Sequence, residues 1–164
     1  MKSKHIAESG LLVALTLIIL YAASILPIST LTILTIASCL IPVSIIRTSV
    51  KNSILVYAAS SVLSFILVRP NIALYYTLLF GIYGIIKYFI ERVRNIPVQL
   101  LLKIISFNIS LGIIYLIAQS FLGISPPNFS LWILWLAAQI AFLVYDYALT
   151  LAISFFINRF NKHF

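Results

Sequence analysis

The sequence predicts an all-α, polytopic integral membrane protein with six transmembrane helices and both termini in the cytoplasm. Three observations carry that reading. Hydrophobic residues make up 63% of the 164-residue chain and charged residues 9%, against roughly 25% charge in a soluble domain. Six apolar runs fill nearly all of the chain, each close to the ~20 residues with which a helix crosses a ~30 Å hydrocarbon core. Lys and Arg gather in alternate gaps between those runs. The net charge of +8 is therefore a topology signal. With no basic stripe on a soluble fold, it does not point to nucleic acid. The partner that composition implies is the lipid bilayer.

The runs place spans at about 7–27, 31–47, 52–69, 71–92, 97–122 and 129–157, in one domain covering 1–164. The first follows Met1-Lys2-Ser3-Lys4-His5 and continues to Ile28 without an Ala-x-Ala cleavage site, so it is expected to be a retained helix. Pro27 marks its end. The second is the shortest, rich in Ser and Thr, and carries Pro42 inside it, which predicts a kink. Pro70 separates the third from the fourth, and Pro97 opens the fifth. Pro126-Pro127 precedes the sixth, which is longer than a bilayer needs and is expected to tilt or to extend into the interface.

Lys2, Lys4, Arg47, Lys51, Lys87, Arg92, Arg94, Lys103, Arg159 and Lys162 all fall on one face. Of the 11 basic residues only Arg69 falls on the other. The positive-inside rule then puts both termini in the cytoplasm, at the inner or plasma membrane, and an even number of spans independently requires the termini to share a side. Trp132 and Trp135 open the sixth span on the outer side, where interfacial aromatics belong.

The chain has only three acids, Glu8, Glu91 and Asp146. Glu91 lies in Glu-Arg-Val-Arg at a helix end and reads as interfacial. Asp146 lies about 22 Å beyond Leu131 at 1.5 Å per residue, in the inner third of the membrane. A lone carboxylate there is costly, so Asp146 is expected to face the bundle or the interface and find a partner. Lys87 and Lys103 are at comparable depth. The expected inner polar cluster is Asp146 with Lys87 or Lys103, joined by Glu8. The alternative is that both lysines snorkel to the headgroups.

The outer half holds Arg69, Asn71 and Tyr75 on one side of the sequence and Trp132, Trp135 and Gln139 on the other. Aromatic walls with a few polar groups line small-molecule pockets, and Arg69 is suited to pair with an anionic ligand group. Taken singly, these aromatics also fit plain interfacial anchoring. Asn108, in the middle of the fifth span, reads as an interhelical hydrogen-bonding group. Ala7, Gly10 and Ala14 share one face of the first span and would let another helix approach closely, inside the bundle or from a partner. No enzyme signature is present: there is no HExxH, GxSxG or Walker A motif, and no paired intramembrane aspartates. The lone Cys39 offers no intrachain disulfide, and no metal or cofactor site is expected.

Three stretches carry a family resemblance. Gly10-Leu-Leu-Val-Ala14-Leu-Thr-Leu is a small-xxx-small motif on the first span. Pro42 is followed by the basic turn Arg47-Thr-Ser-Val-Lys51-Asn-Ser. Tyr145-Asp146-Tyr147 lies on a last helix that ends in a basic tail. With its size and six spans, the chain resembles the substrate-binding S components of energy-coupling factor (ECF) transporters. The resemblance implies capture of a vitamin-like small molecule from outside. It also implies docking through Ala7, Gly10 and Ala14 on a coupling membrane protein, and ATP hydrolysis by two cytoplasmic ATPases. One departure is the very short connection between the first two spans, which in the family often helps to cover the substrate. A second reading is a membrane scaffold of cell-envelope assembly, similar in size and helix count to the cell-shape protein MreD, with no transported substrate.

Overall fold

A computed structural model describes residues 2–26, 30–121 and 131–161, which are helical apart from short turns, with no strand among them. The helices are α1 (Lys2–Ile25), α2 (Thr30–Arg47), α3 (Val50–Leu67), α4 (Pro70–Ile90), α5 (Ile96–Phe121) and α6 (Leu131–Asn161). Each is long and apolar enough to cross a membrane, and the chain reads as a multi-pass membrane protein. The expected connections at 27–30 and 123–128 lie largely outside the described residues, and so do Pro126, Pro127 and Lys162.

Local chemistry sets the described ends. Ser49 caps α3 by accepting the Asn52 amide at 3.3 Å. Pro70 occupies the first turn of α4, where its missing N–H costs nothing. Pro97 plays the same part in α5. Pro42 stays inside a continuous α2 and is buried.

Helix α4 is α-helical over Pro70–Tyr75, passes through a π-helical segment at Tyr76–Gly81 and resumes as α-helix over Ile82–Ile90. Widened turns leave carbonyls available to side chains. Two are taken: the Tyr57 hydroxyl donates to Thr77 O at 2.9 Å and the Tyr145 hydroxyl to Phe80 O at 3.3 Å. Tyr76 itself is fully buried, with its hydroxyl 2.9 Å from Ser60 Oγ.

Helices α1, α2 and α3 pack against one another and against α4. Leu20, Ala23, Leu34, Ala37, Ile72 and Tyr76 lie at their centre. Small hydroxyl residues fill the tight places. Thr16, Ser38, Ser44, Ser53, Ser60 and Ser64 are all fully buried. Thr16, Ser38, Ser53, Ser60 and Ser64 donate to carbonyls three or four residues back, which satisfies them without a partner helix. Ser53 Oγ also lies 2.9 Å from Ser44 Oγ, across the α2–α3 turn.

Helix α6 lies against α2 and α4. Phe142 and Leu149 are buried with Tyr83, in edge contact for Tyr83–Phe142 at 5.2 Å and stacked for Phe107–Phe142 at 4.2 Å. Helix α4 approaches α2 closely at Gly84. A Cβ on Gly84 would meet Pro42 Cδ at 3.0 Å and Ile41 Cβ at 3.3 Å, so only a glycine lets these backbones meet.

Candidate functional sites: an ion network and an apolar cleft

Four charged side chains from three helices converge near one end of the bundle. Tyr83, Lys87 and Glu91 recur every four residues along α4 and so share a stripe. Asp146 and Thr150 do the same on α6, and Lys103 enters from α5. The Asp146 carboxylate accepts from Lys87 Nζ and from the Tyr83 hydroxyl (2.8 Å) on Oδ1, and from Lys103 Nζ (2.9 Å) on Oδ2. Lys87 also donates to Thr150 Oγ1 at 2.7 Å and to the Asp146 carbonyl at 3.2 Å. Glu91 Oε1 lies 3.0 Å from Lys87 Nζ and 3.1 Å from Lys103 Nζ. Two cations face two anions, so the network is neutral as a unit.

Its burial is uneven. The Lys87 side chain is 1% exposed, Lys103 13%, Asp146 18% and Glu91 35%. Lys87 therefore does not snorkel, and its charge is met inside the bundle. A small recess of about 100 Å³ between α5 and α6 reaches Lys103 and Asp146 from the side, past Gln99 and Phe142.

The expected pairing of Asp146 with Lys87 or Lys103 is resolved in favour of both. The expected place of Glu8 is corrected. Glu8 lies on α1 with its carboxylate 3.9 Å from His5 Nδ1, and Glu91 supplies the second anion. The reason is geometric: α1 packs on α2, α3 and the start of α4, away from the α4–α5–α6 junction. The i,i+4 spacing of Lys87 and Glu91 was a legible signal for this.

The six outer-half residues fall into two groups. Arg69, Asn71 and Tyr75, at the start of α4, are exposed. Trp132 and Trp135 are 76% and 47% exposed and meet edge to face at 6.4 Å. Trp135 Nε1 and Gln139 Nε2 both donate to Asn108 Oδ1, at 2.8 and 2.9 Å, and Asn108 Nδ2 donates to Ile104 O. Asn108 thus ties α5 to α6. Asn108→Leu is expected to lower stability by on the order of 1–2 kcal/mol, read as a lower midpoint in SDS-titrated unfolding; an unchanged midpoint would remove this tie.

A larger concavity lies elsewhere. A cleft of about 620 Å³ opens between α2, α4, α5 and α6, with Thr35, Phe80, Tyr83, Phe107, Phe142 and Tyr145 among its walls. None of Arg69, Asn71, Tyr75, Trp132, Trp135 or Gln139 lines it, and neither does any residue of α1. Of these aromatics the sequence singled out only Tyr145, beside Asp146; the others are ordinary members of apolar runs with no spacing that marks a site. Tyr83 belongs to both features: its ring lines the cleft and its hydroxyl holds Asp146.

Ala7, Gly10 and Ala14 on α1 are exposed, and a Cβ built on Gly10 would meet nothing within 4 Å. The small-residue face is unused inside the bundle. Among the described residues no group of three or more His, Cys, Asp and Glu side chains gathers as a metal site would require. Comparison with protein-family models, curated proteins and solved structures finds no match to this chain.

Proposed function

We propose that this protein is a membrane-embedded substrate-binding component of an ECF-type importer, which captures a small molecule for uptake driven by partner subunits. The observation that carries the reading is the separation of two surfaces. A ligand-sized cleft lies among α2, α4, α5 and α6, and the small-residue face of α1 stays open. A cleft of this size suits a small molecule, and an open Ala/Gly face suits close approach by a partner helix. In this reading the chain sits in the inner or plasma membrane with both termini cytoplasmic, as the distribution of Lys and Arg favours. The ion network fastens α4, α5 and α6 on the cytoplasmic side of the cleft. ATP would be bound and hydrolysed by two cytoplasmic ATPases acting through a coupling membrane protein.

The test is affinity purification of the tagged protein from its native membrane in mild detergent, with mass spectrometry of proteins and retained small molecules. A coupling membrane protein with ATPases is the expected result. Recovery of cell-envelope assembly proteins instead, with no small molecule, would move the assignment to an MreD-like scaffold. The double change Gly10→Leu and Ala14→Leu should abolish co-purification of the coupling protein while leaving the bundle folded, because both positions face open space. Retention of the partner would overturn the docking role of α1.

A further inference from the structure

We infer that the ligand of the α2–α4–α5–α6 cleft is an uncharged, ring-bearing, lipid-soluble molecule that enters sideways from the bilayer. This rests on the ligand-capture reading above and specifies its substrate class.

The first argument is the inventory of polar groups. Among the described residues no charged side chain lines the cleft. Of its hydroxyls, Thr35 donates to Leu31 O, Ser110 to Ser106 O, Tyr83 to Asp146 and Tyr145 to Phe80 O. Their protons are committed to the protein. A carboxylate or phosphate placed there would lose its hydration and gain no donor, which costs several kcal/mol or more. Thr32 is the remaining hydroxyl and stands exposed. Arg69, the one cation expected to meet an anionic ligand, lies outside the cleft.

The second argument is the walls. Phe80, Tyr83, Phe107, Phe142 and Tyr145 brace one another in edge, tilted and stacked contacts at 4.2–5.5 Å. Rings fixed in this way form a preformed surface for another ring, whereas a flexible acyl chain would gain less from them and lose more conformational freedom. The third is access. Leu31 and Val144, 65% and 64% exposed, belong to the lining, so the cleft opens on the lipid-facing side of α2 and α6. Along α6 it runs from Ala138 to Ala148, about 15 Å at 1.5 Å per residue, or roughly half the hydrocarbon thickness. A route through the membrane suits a solute that partitions into it.

The test uses 1-azidopyrene, an uncharged planar photoprobe, on the full-length protein in phosphatidylcholine liposomes. A diazirine-bearing phosphatidylcholine in parallel reports ordinary lipid contact. The expected result is saturable azidopyrene labelling at Phe107, Ala138 and Ala141, competed by unlabelled pyrene, while the lipid probe labels the outer helix faces evenly. Ala138→Trp and Ala141→Trp, each checked for monodispersity by size exclusion, should each reduce the cleft labelling about tenfold or more. Labelling that does not saturate, or equal labelling of the cleft by the lipid probe, would overturn the proposal in favour of ordinary acyl-chain filling. Protection of the cleft by riboflavin or thiamine but not by pyrene would overturn the apolar class and keep the site. Co-purification of the coupling protein with the Trp variants is read separately, so a failed ligand assignment and a failed importer reading give different results.

Discussion

Asp146→Leu is expected to destabilise the bundle by about 3–5 kcal/mol, the usual cost of removing one partner of a buried ion pair. The mechanism is specific. Lys87, with 1% of its side chain exposed, would lose the carboxylate nearest its ammonium and keep only Glu91, Thr150 and a backbone carbonyl. Lys103 would keep Glu91 alone. One carboxylate would then serve two cations at the junction of α4, α5 and α6. The Tyr83 hydroxyl would lose its acceptor as well. By comparison, single interhelical hydrogen bonds in membranes average about 0.6 kcal/mol, so the ion network outweighs the Asn108 tie severalfold. Removing both charges should cost much less: Lys87→Met with Asp146→Leu leaves Lys103 paired with Glu91, and the double variant is expected to recover at least half of the loss. Exchanging the charges, Lys87→Asp with Asp146→Lys, should also rescue in part. SDS-titrated unfolding in mixed micelles gives all four corners of the cycle. An Asp146→Leu variant within about 0.5 kcal/mol of the parent would show the network to be incidental to stability.

Gly84→Leu should rival that loss by a different route. A Cβ on Gly84 already meets Pro42 Cδ at 3.0 Å and Ile41 Cβ at 3.3 Å, and Pro42 has neither a flexible end nor a free torsion with which to yield. The remaining Leu atoms have no space unless α4 and α2 separate. Over-packing of this kind costs about 1–3 kcal/mol and occasionally more, and here the displaced helices carry Tyr83 and Lys87 with them. We expect a loss near 3 kcal/mol and weakened cleft labelling. Gly10→Leu is the matched control. It makes the same chemical change, also on a membrane helix, but at a position with nothing within 4 Å. The pair should differ by at least 2 kcal/mol in the same unfolding assay, and equal effects would mean that the α2–α4 contact is not tight.

The two glycines also show how much of this molecule is legible from sequence. Both sit in apolar runs, where a glycine lets another helix approach closely. Only the structure tells that one is spent inside the bundle and the other stays open. Asp146 shows the same division. Its place well inside the last span followed from counting 1.5 Å per residue along one helix, and the expectation of a partner followed from the cost of a bare carboxylate in hydrocarbon. That Lys87 and Lys103 would both reach it, and that Glu91 would complete the set where Glu8 was expected, depends on which helices are neighbours. The cleft is further from reach. Tyr83, Phe107 and Phe142 are ordinary aromatics, each in its own run, and become a wall only when α4, α5 and α6 meet.

What the sequence by itself determined is the class of the protein and the number of its helices long and apolar enough to span a membrane. Runs of about 20 apolar residues must become helices, because the bilayer satisfies no backbone polar group, and each helix makes its hydrogen bonds within its own sequence. What only the tertiary structure decided is everything that joins helices: the balanced ion network, the α2–α4 contact at Pro42 and Gly84, the aromatic cleft, and the free face of α1. In lipid the apolar faces of the helices are nearly interchangeable, since the solvent is as hydrophobic as the side chains. Hydropathy therefore cannot choose neighbours, and the choice passes to small residues, a few polar contacts and shape.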